Sequence, residues 1–182
     1  MRPTRSPGWL ALAMLFGCAG DEEGGTSSTA SVASWTGVYA NGHPLTASTS
    51  ESETLSLEAE TLDLVNAHRV SLGLNALVED PPVADVARAH SGHMIVHDFF
   101  DHVNPEGYSP GDRASLAGVG WSYYGENIAA GYDTPQAAFN AWMNSPGHRE
   151  NIERAEWTHA GMGYARGPST WTHYWTNNFR RD

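Results

Sequence analysis

A chain of 182 residues has room for one domain of ordinary size and an extension. Its 10 basic and 21 acidic residues give a formal charge of −11, and every basic residue is arginine. That acidity, with no basic run, argues against nucleic acid and anionic membrane surfaces as partners, and the single cysteine rules out a disulfide within the chain.

In chain order, residues 1–18 read as a targeting segment. Arg2 and Arg5 make a basic start, and Trp9-Leu-Ala-Leu-Ala-Met-Leu-Phe16 is an apolar run far short of the roughly 20 residues that span a bilayer. The run ends in Leu15-Phe-Gly-Cys18, which resembles a bacterial lipoprotein signal and makes Cys18 the expected lipidation site. Export across the inner membrane and a lipid anchor at the cell envelope follow, the plain secretory signal being the alternative. Residues 19–55, rich in Ser, Thr, Gly and acid, lack the apolar content for a core and read as a tether. Trp35-Thr-Gly-Val-Tyr39 and Asn41-Gly-His-Pro44 interrupt it, either as a small hairpin or partly ordered flap packed on the domain or as an apolar patch on a loose linker.

The domain, residues 56–182, opens with helices. Leu62, Val65, Arg69 and Leu72 recur at helical spacing between Glu58 and Leu72, Gly73 stops that helix, and His68 is expected to pack. Asp80-Pro-Pro82 caps a second helix, whose stripe runs through Val83, Val86, Ala87, His90, Met94 and His97. His90 is expected to be a hydrogen-bonded core residue and His93 to be exposed. His93 and His97 are four apart, a spacing that can present two imidazoles to one zinc ion. A short helix is expected from Asp112 to Ala117, capped by Ser109 or Asp112, and Gly125-Glu-Asn-Ile-Ala-Ala-Gly131 is expected to be extended.

Thr134 and Pro135 start a further helix that carries Ala138, Phe139 and Trp142 on one face and ends at Asn144. Ser145 and Pro146 then begin another, placing His148 in its first turn, where free N–H groups and the helix dipole favour neutral imidazole. Trp157–Ala165 and Trp171–Phe179 read as strands around a turn at Arg166-Gly-Pro-Ser169. Helices first and strands after suggest an α+β fold.

Phe99-Phe-Asp-His102, Gly125-Glu-Asn-Ile128 and Ser-Pro-Gly-His148, with Leu64-Val-Asn-Ala-His-Arg69, Ala87-Arg-Ala-His-Ser91, Ser109-Pro-Gly-Asp-Arg113 and Ala160-Gly-Met-Gly-Tyr164, occur in one order along the chain. Together they resemble the CAP superfamily (cysteine-rich secretory proteins, antigen 5, pathogenesis-related proteins), in its bacterial, disulfide-free SCP-like branch. The resemblance implies a three-layer α-β-α sandwich and a cavity of two His and two Glu. Three of those four positions are matched, by His102, Glu126 and His148. The fourth departs, with Asn144 and Ser145 standing where many relatives carry the second Glu. His102, Glu126 and His148 are therefore the expected metal set, for zinc or another divalent cation, and Asn127 and Ser145 join them as groove residues.

Two imidazoles and a carboxylate can bind a divalent ion, form an acid–base pair, or pin loops together. Three functions stay open: a binding module for a lipid, cell-wall glycan or protein at the envelope, a metal-assisted hydrolase on an envelope substrate, and a structural or adhesive surface protein. No nucleophile motif of the Gly-x-Ser-x-Gly kind and no His-Glu-x-x-His supports a stronger catalytic reading.

Overall fold

Two glycines set the architecture. A Cβ built on Gly161 would lie 2.1 Å from the backbone nitrogen of Ala84, and one on Gly163 2.1 Å from that of Arg88. A strand thus lies directly against a helix backbone, which only glycine permits. The structure is a computed structural model that describes residues 51–182. The signal segment with Cys18, residues 19–50 of the tether, and the Trp35–Pro44 patch lie outside the described residues.

The helices are α1 (Glu51–Ser71), α2 (Pro81–His97), α3 (Pro110–Leu116), α4 (Pro135–Asn144) and α5 (Pro146–Glu153); the strands are β1 (Val78–Glu79), β2 (Tyr123–Ala130), β3 (His159–Arg166) and β4 (His173–Arg181). The sheet order is β1-β3-β4-β2, with β1 parallel to β3 and the other pairs antiparallel. This is the expected α+β, three-layer arrangement, with the antiparallel strands mainly at the C-terminal end.

One face of the sheet presents Ala160, Met162, Tyr164, Trp175 and Phe179, which pack with Leu62 and Val65 of α1, Ala138 and Trp142 of α4, and Ile152 of α5. The other face carries Gly161 and Gly163 against α2, and Ile128 and Tyr174 against Met94. Residues 174–179 of β4 are buried throughout, since helices cover both sides of this central strand. At the far edge, β1 is too short to cover β3, and the Glu58 carboxylate accepts the Tyr164 N–H (2.8 Å). Arg88 of α2 pairs with the same carboxylate (2.6 Å).

Helix α1 is already formed at Glu51, where the described residues start and seven residues before the expected start, with Glu51 and Glu53 in the first described turn. The acids suit the positive end of the helix dipole there, but without an apolar stripe they read as tail. Gly73 adopts φ +76° past the end, as the stop signal required. His68 packs as expected, edge-on to Phe139 and bonded to Glu153 (2.9 Å). Arg69, fully buried, donates to the carbonyls of Asn75, Ile152 and Arg154 and so ties α1 to the end of α5.

Candidate functional site

β2 is an edge strand, and its consecutive side chains point to opposite faces. The Gly-Glu-Asn triplet uses that alternation. A Cβ on Gly125 would lie 2.8 Å from the Trp157 ring and 2.9 Å from the Asn151 side-chain oxygen, so glycine admits both. Glu126 turns toward α2, with an oxygen 3.8 Å from His90 Nε2. Asn127 turns toward α5, where its side-chain N–H donates to the His148 carbonyl (3.0 Å) and its oxygen accepts from Asn151 (3.0 Å). The site therefore straddles the open edge of the sheet, fed by loops from both outer layers.

From the α2 side comes His102, whose Nδ1–H donates to Glu126 Oε1 (2.9 Å). The other oxygen, Oε2, accepts from Arg113 at 2.5 Å. Arg113 is fully buried and also donates to the carbonyls of His102 (2.6 Å) and Tyr108 (3.1 Å). It is held by α3, whose first turn is fixed by a capping box: Ser109 and Asp112 each accept the other's backbone N–H. Either residue was expected to cap this helix, and both do. Sequence reasoning placed Arg113 in a matching motif but gave it no role. A lone arginine in a seven-residue helix carries no sign that it is buried beneath a carboxylate.

From the α5 side comes His148, in the first turn of its helix as expected. Burial, then the like charge of His102, lowers its pKa, so the ring is neutral at pH 7. The expected state holds, with burial as its first cause. Ser145 sits at the junction of α4 and α5 and takes the N-cap position, yet its side chain makes no capping bond. Thr134 does cap α4, accepting from the Ala137 N–H (3.2 Å).

Glu126 is the electrostatic centre. Burial alone would raise its pKa, but the His102 hydrogen bond and the neighbouring positive charges outweigh it and hold the carboxyl below the ordinary carboxylate value. It is a buried anion with both oxygens engaged, and through Oε1 it orients His102. With Nδ1 committed to Glu126, Nε2 is the His102 atom left to meet a ligand. His90, fully buried, donates from Nε2 to the Asp101 carbonyl (3.0 Å) and anchors the start of the same loop, bearing out its expected core role. Burial pushes its pKa down to about 4.

His93 overturns its expectation. It is 3% exposed, not a surface residue, because the chain turns sharply after α2 and Phe99 closes over it (ring centroids 5.4 Å apart). Asp98 makes that turn in the left-handed region, at φ 48°. Among the described residues, one group of His, Cys or acidic side chains brings three ligand atoms within 4.8 Å of one another: His93, His97 and Glu106. His102 touches Glu126, whereas His148 is tied to the same strand through its backbone carbonyl, which accepts from Asn127.

The family model described as "Cysteine-rich secretory protein family", CAP, matches residues 62–179, and the chain belongs to that family. It is 39% identical over 127 residues to the uncharacterized protein YkwD of Bacillus subtilis, covering 70% of this chain and 49% of that protein. A second Bacillus subtilis relative, the uncharacterized membrane protein YlbC, is 39% identical over 122 residues, covering 67% of this chain and 34% of that protein. This chain thus spans half or less of the length of these curated relatives. Among solved structures it is similar to an extracellular SCP-domain protein of Bacillus anthracis (TM-score 0.63, 34% identity, 71% of this chain and 41% of that one). It also shares its fold with an outer surface protein of Borrelia burgdorferi (TM-score 0.63, 20% identity, 68% and 90%). No helix among the described residues is long and apolar enough to cross a membrane.

Proposed function

We propose that this chain is an exported CAP-domain protein, tethered at the cell envelope through Cys18, whose sheet-edge groove binds a ligand through a divalent metal ion held by His102 and His148. The observation that carries this reading is the Arg113–Glu126–His102 chain of contacts. A buried carboxylate balanced by an arginine can fix the tautomer and aim of the imidazole in front of it, as outer carboxylates do at metal sites.

The donors suit zinc: Nε2 of His102 on one side, the neutral imidazole of His148 on the other, and water or a ligand oxygen in the remaining positions. Bound there, the ion would supply Lewis acidity toward that oxygen. The chain's own residues do the positioning. Arg113 keeps Glu126 ionised, Glu126 orients His102, and Asn127 holds the backbone of His148. A set of two imidazoles is open rather than closed, which suits capture of an oxygen-bearing group from an envelope lipid, glycan or protein better than a purely structural role. Similarity to the extracellular SCP-domain protein of Bacillus anthracis supports export.

The test is zinc calorimetry on chelator-stripped protein. His102→Ala and His148→Ala should each lower the affinity of one zinc site, and Glu126→Gln should weaken it by about 10–100-fold, as loss of an outer partner does. Zinc binding unchanged by all three substitutions would sink the reading. For the tether, detergent-phase partition that survives Cys18→Ser would remove lipidation.

A further inference from the structure

The C-terminal end of α2 carries a second histidine cluster, which the groove does not use. His93 and His97 are one helical turn apart, with ring centroids at 4.4 Å and planes at 86°. Glu106 reaches them from the loop between α2 and α3, with Oε1 3.4 Å from His93 Nε2. The three ligand atoms all lie within 4.8 Å of one another, while His97 and Glu106 remain exposed to solvent.

The loop presents Glu106 on a fixed turn. Asn104, buried, accepts the Tyr108 N–H with its side-chain oxygen (2.7 Å). Its backbone bonds the Tyr108 carbonyl (3.1 Å) and the Gly107 N–H (2.8 Å). Gly107 completes the turn at φ +88°, a conformation that favours glycine. On the helix side, Phe99 packs edge-on against His93, and the sheet holds α2 through Gly161 and Gly163. All three donors therefore sit on restrained backbone, and the carbonyl end of a helix favours positive charge beside it.

We propose that His93, His97 and Glu106 form a second metal site, taking a zinc-class divalent ion that clamps the 98–109 loop onto the end of α2. Two imidazole nitrogens and one carboxylate oxygen select a borderline-soft ion such as zinc over calcium or magnesium, which need more oxygen ligands. Three protein ligands leave one position for water. The clamp has a purpose in the fold, because His102 lies on the same loop, four residues before Glu106. An ion that pins Glu106 to α2 restrains the arm that presents His102 to the groove.

The site shares no ligand with the groove, so the two can fail separately. The experiment is zinc titration by calorimetry on tag-free, chelator-stripped, full-length protein, with cobalt(II) absorption as a second readout of ligand number. The variants are His97→Ala, Glu106→Gln, their double, and the groove double His102→Ala/His148→Ala. His97 and Glu106 are exposed, so these variants should fold, which far-UV circular dichroism checks. The groove double should still bind one zinc ion and keep a four-coordinate cobalt spectrum. His97→Ala and Glu106→Gln should each weaken that site by at least about tenfold, the low end of what even outer-partner losses cost. The paired variant should abolish it. Loss of all zinc in the groove double, or affinity and stoichiometry in the His97→Ala/Glu106→Gln double equal to those of the unmodified protein, would overturn the clamp and leave the groove reading standing.

Discussion

Two polar clusters sit on either side of the 98–109 loop, and they solve opposite problems. The inner one, around Glu126, is sealed: Arg113 takes one carboxylate oxygen, His102 takes the other, and His90 stands 3.8 Å away. The outer one, around Glu106, is open, with its carboxylate oxygen 3.4 Å from His93, at the long end of hydrogen-bond range, and His97 beside it in solvent. Burial is the difference. An anion taken out of water must be matched within the fold, and once matched it can orient its neighbours. An exposed one can wait for an ion.

The contrast can be broken most severely at Arg113. Arg113→Met keeps the volume but strands the Glu126 charge, and should cost about 3–5 kcal/mol in urea denaturation, as removal of one partner from a buried pair does. A loss below about 1 kcal/mol, the ceiling for a surface pair, would mean that Glu126 is not isolated from water.

Next is pH. His90 is neutral in the fold, with its pKa held near 4, and would be protonated below its ordinary 6.5 in the unfolded chain. Its neutral form therefore costs nothing above about pH 6.5, and stability falls as pH drops from there towards 4, by up to about 3 kcal/mol. Buried His93, whose pKa is also lowered, adds to the same slope. Glu126 acts elsewhere: its stabilisation is lost only below the ordinary carboxylate value of 4.5. His90→Gln, which keeps a donor for Asp101, should flatten the slope between pH 6.5 and 4 and leave the share from His93. An unchanged slope would mean that His90 does not titrate as a buried base.

The smallest effect is at the outer cluster. In metal-free buffer, His97→Ala should change stability by less than about 0.5 kcal/mol, as exposed substitutions do. A loss of several kcal/mol by thermal melting would show that the end of α2 is a packing element, not an open site.

How far the sequence revealed this depended on whether a feature was local. Thr134 with Pro135, Asp80 with two prolines, and Ser109 with Asp112 each announced a helix start through short-range chemistry, and each helix begins there. Asp80 fills its cap position, but its carboxylate turns to Arg180 (2.5 Å) rather than to its own helix. The two-residue β1 left no periodicity to detect. His102 and Glu126 were legible through motifs, and they touch. His93 was misjudged because its cover, Phe99, arrives only after a left-handed turn at Asp98. Glu106 was passed over for a similar reason: Asn-Pro-Glu-Gly reads as a turn, and nothing in its spacing points back to a helix one loop away. Arg69 shares its stripe with Leu62 and Val65, but nothing local shows that Arg69 or Arg113 is fully buried; the carbonyls that receive them do.

The missing side chains at Gly161 and Gly163 have a mechanical consequence. With strand and helix backbones in direct apposition, α2 can neither roll nor slide without driving its amides into the sheet. On the α2 side, motion beside Glu126 must then come from the segment between Asp98 and Ser109, while the helix serves as a fixed post. Whatever tightens or frees that segment sets how far His102 can swing from the sheet edge.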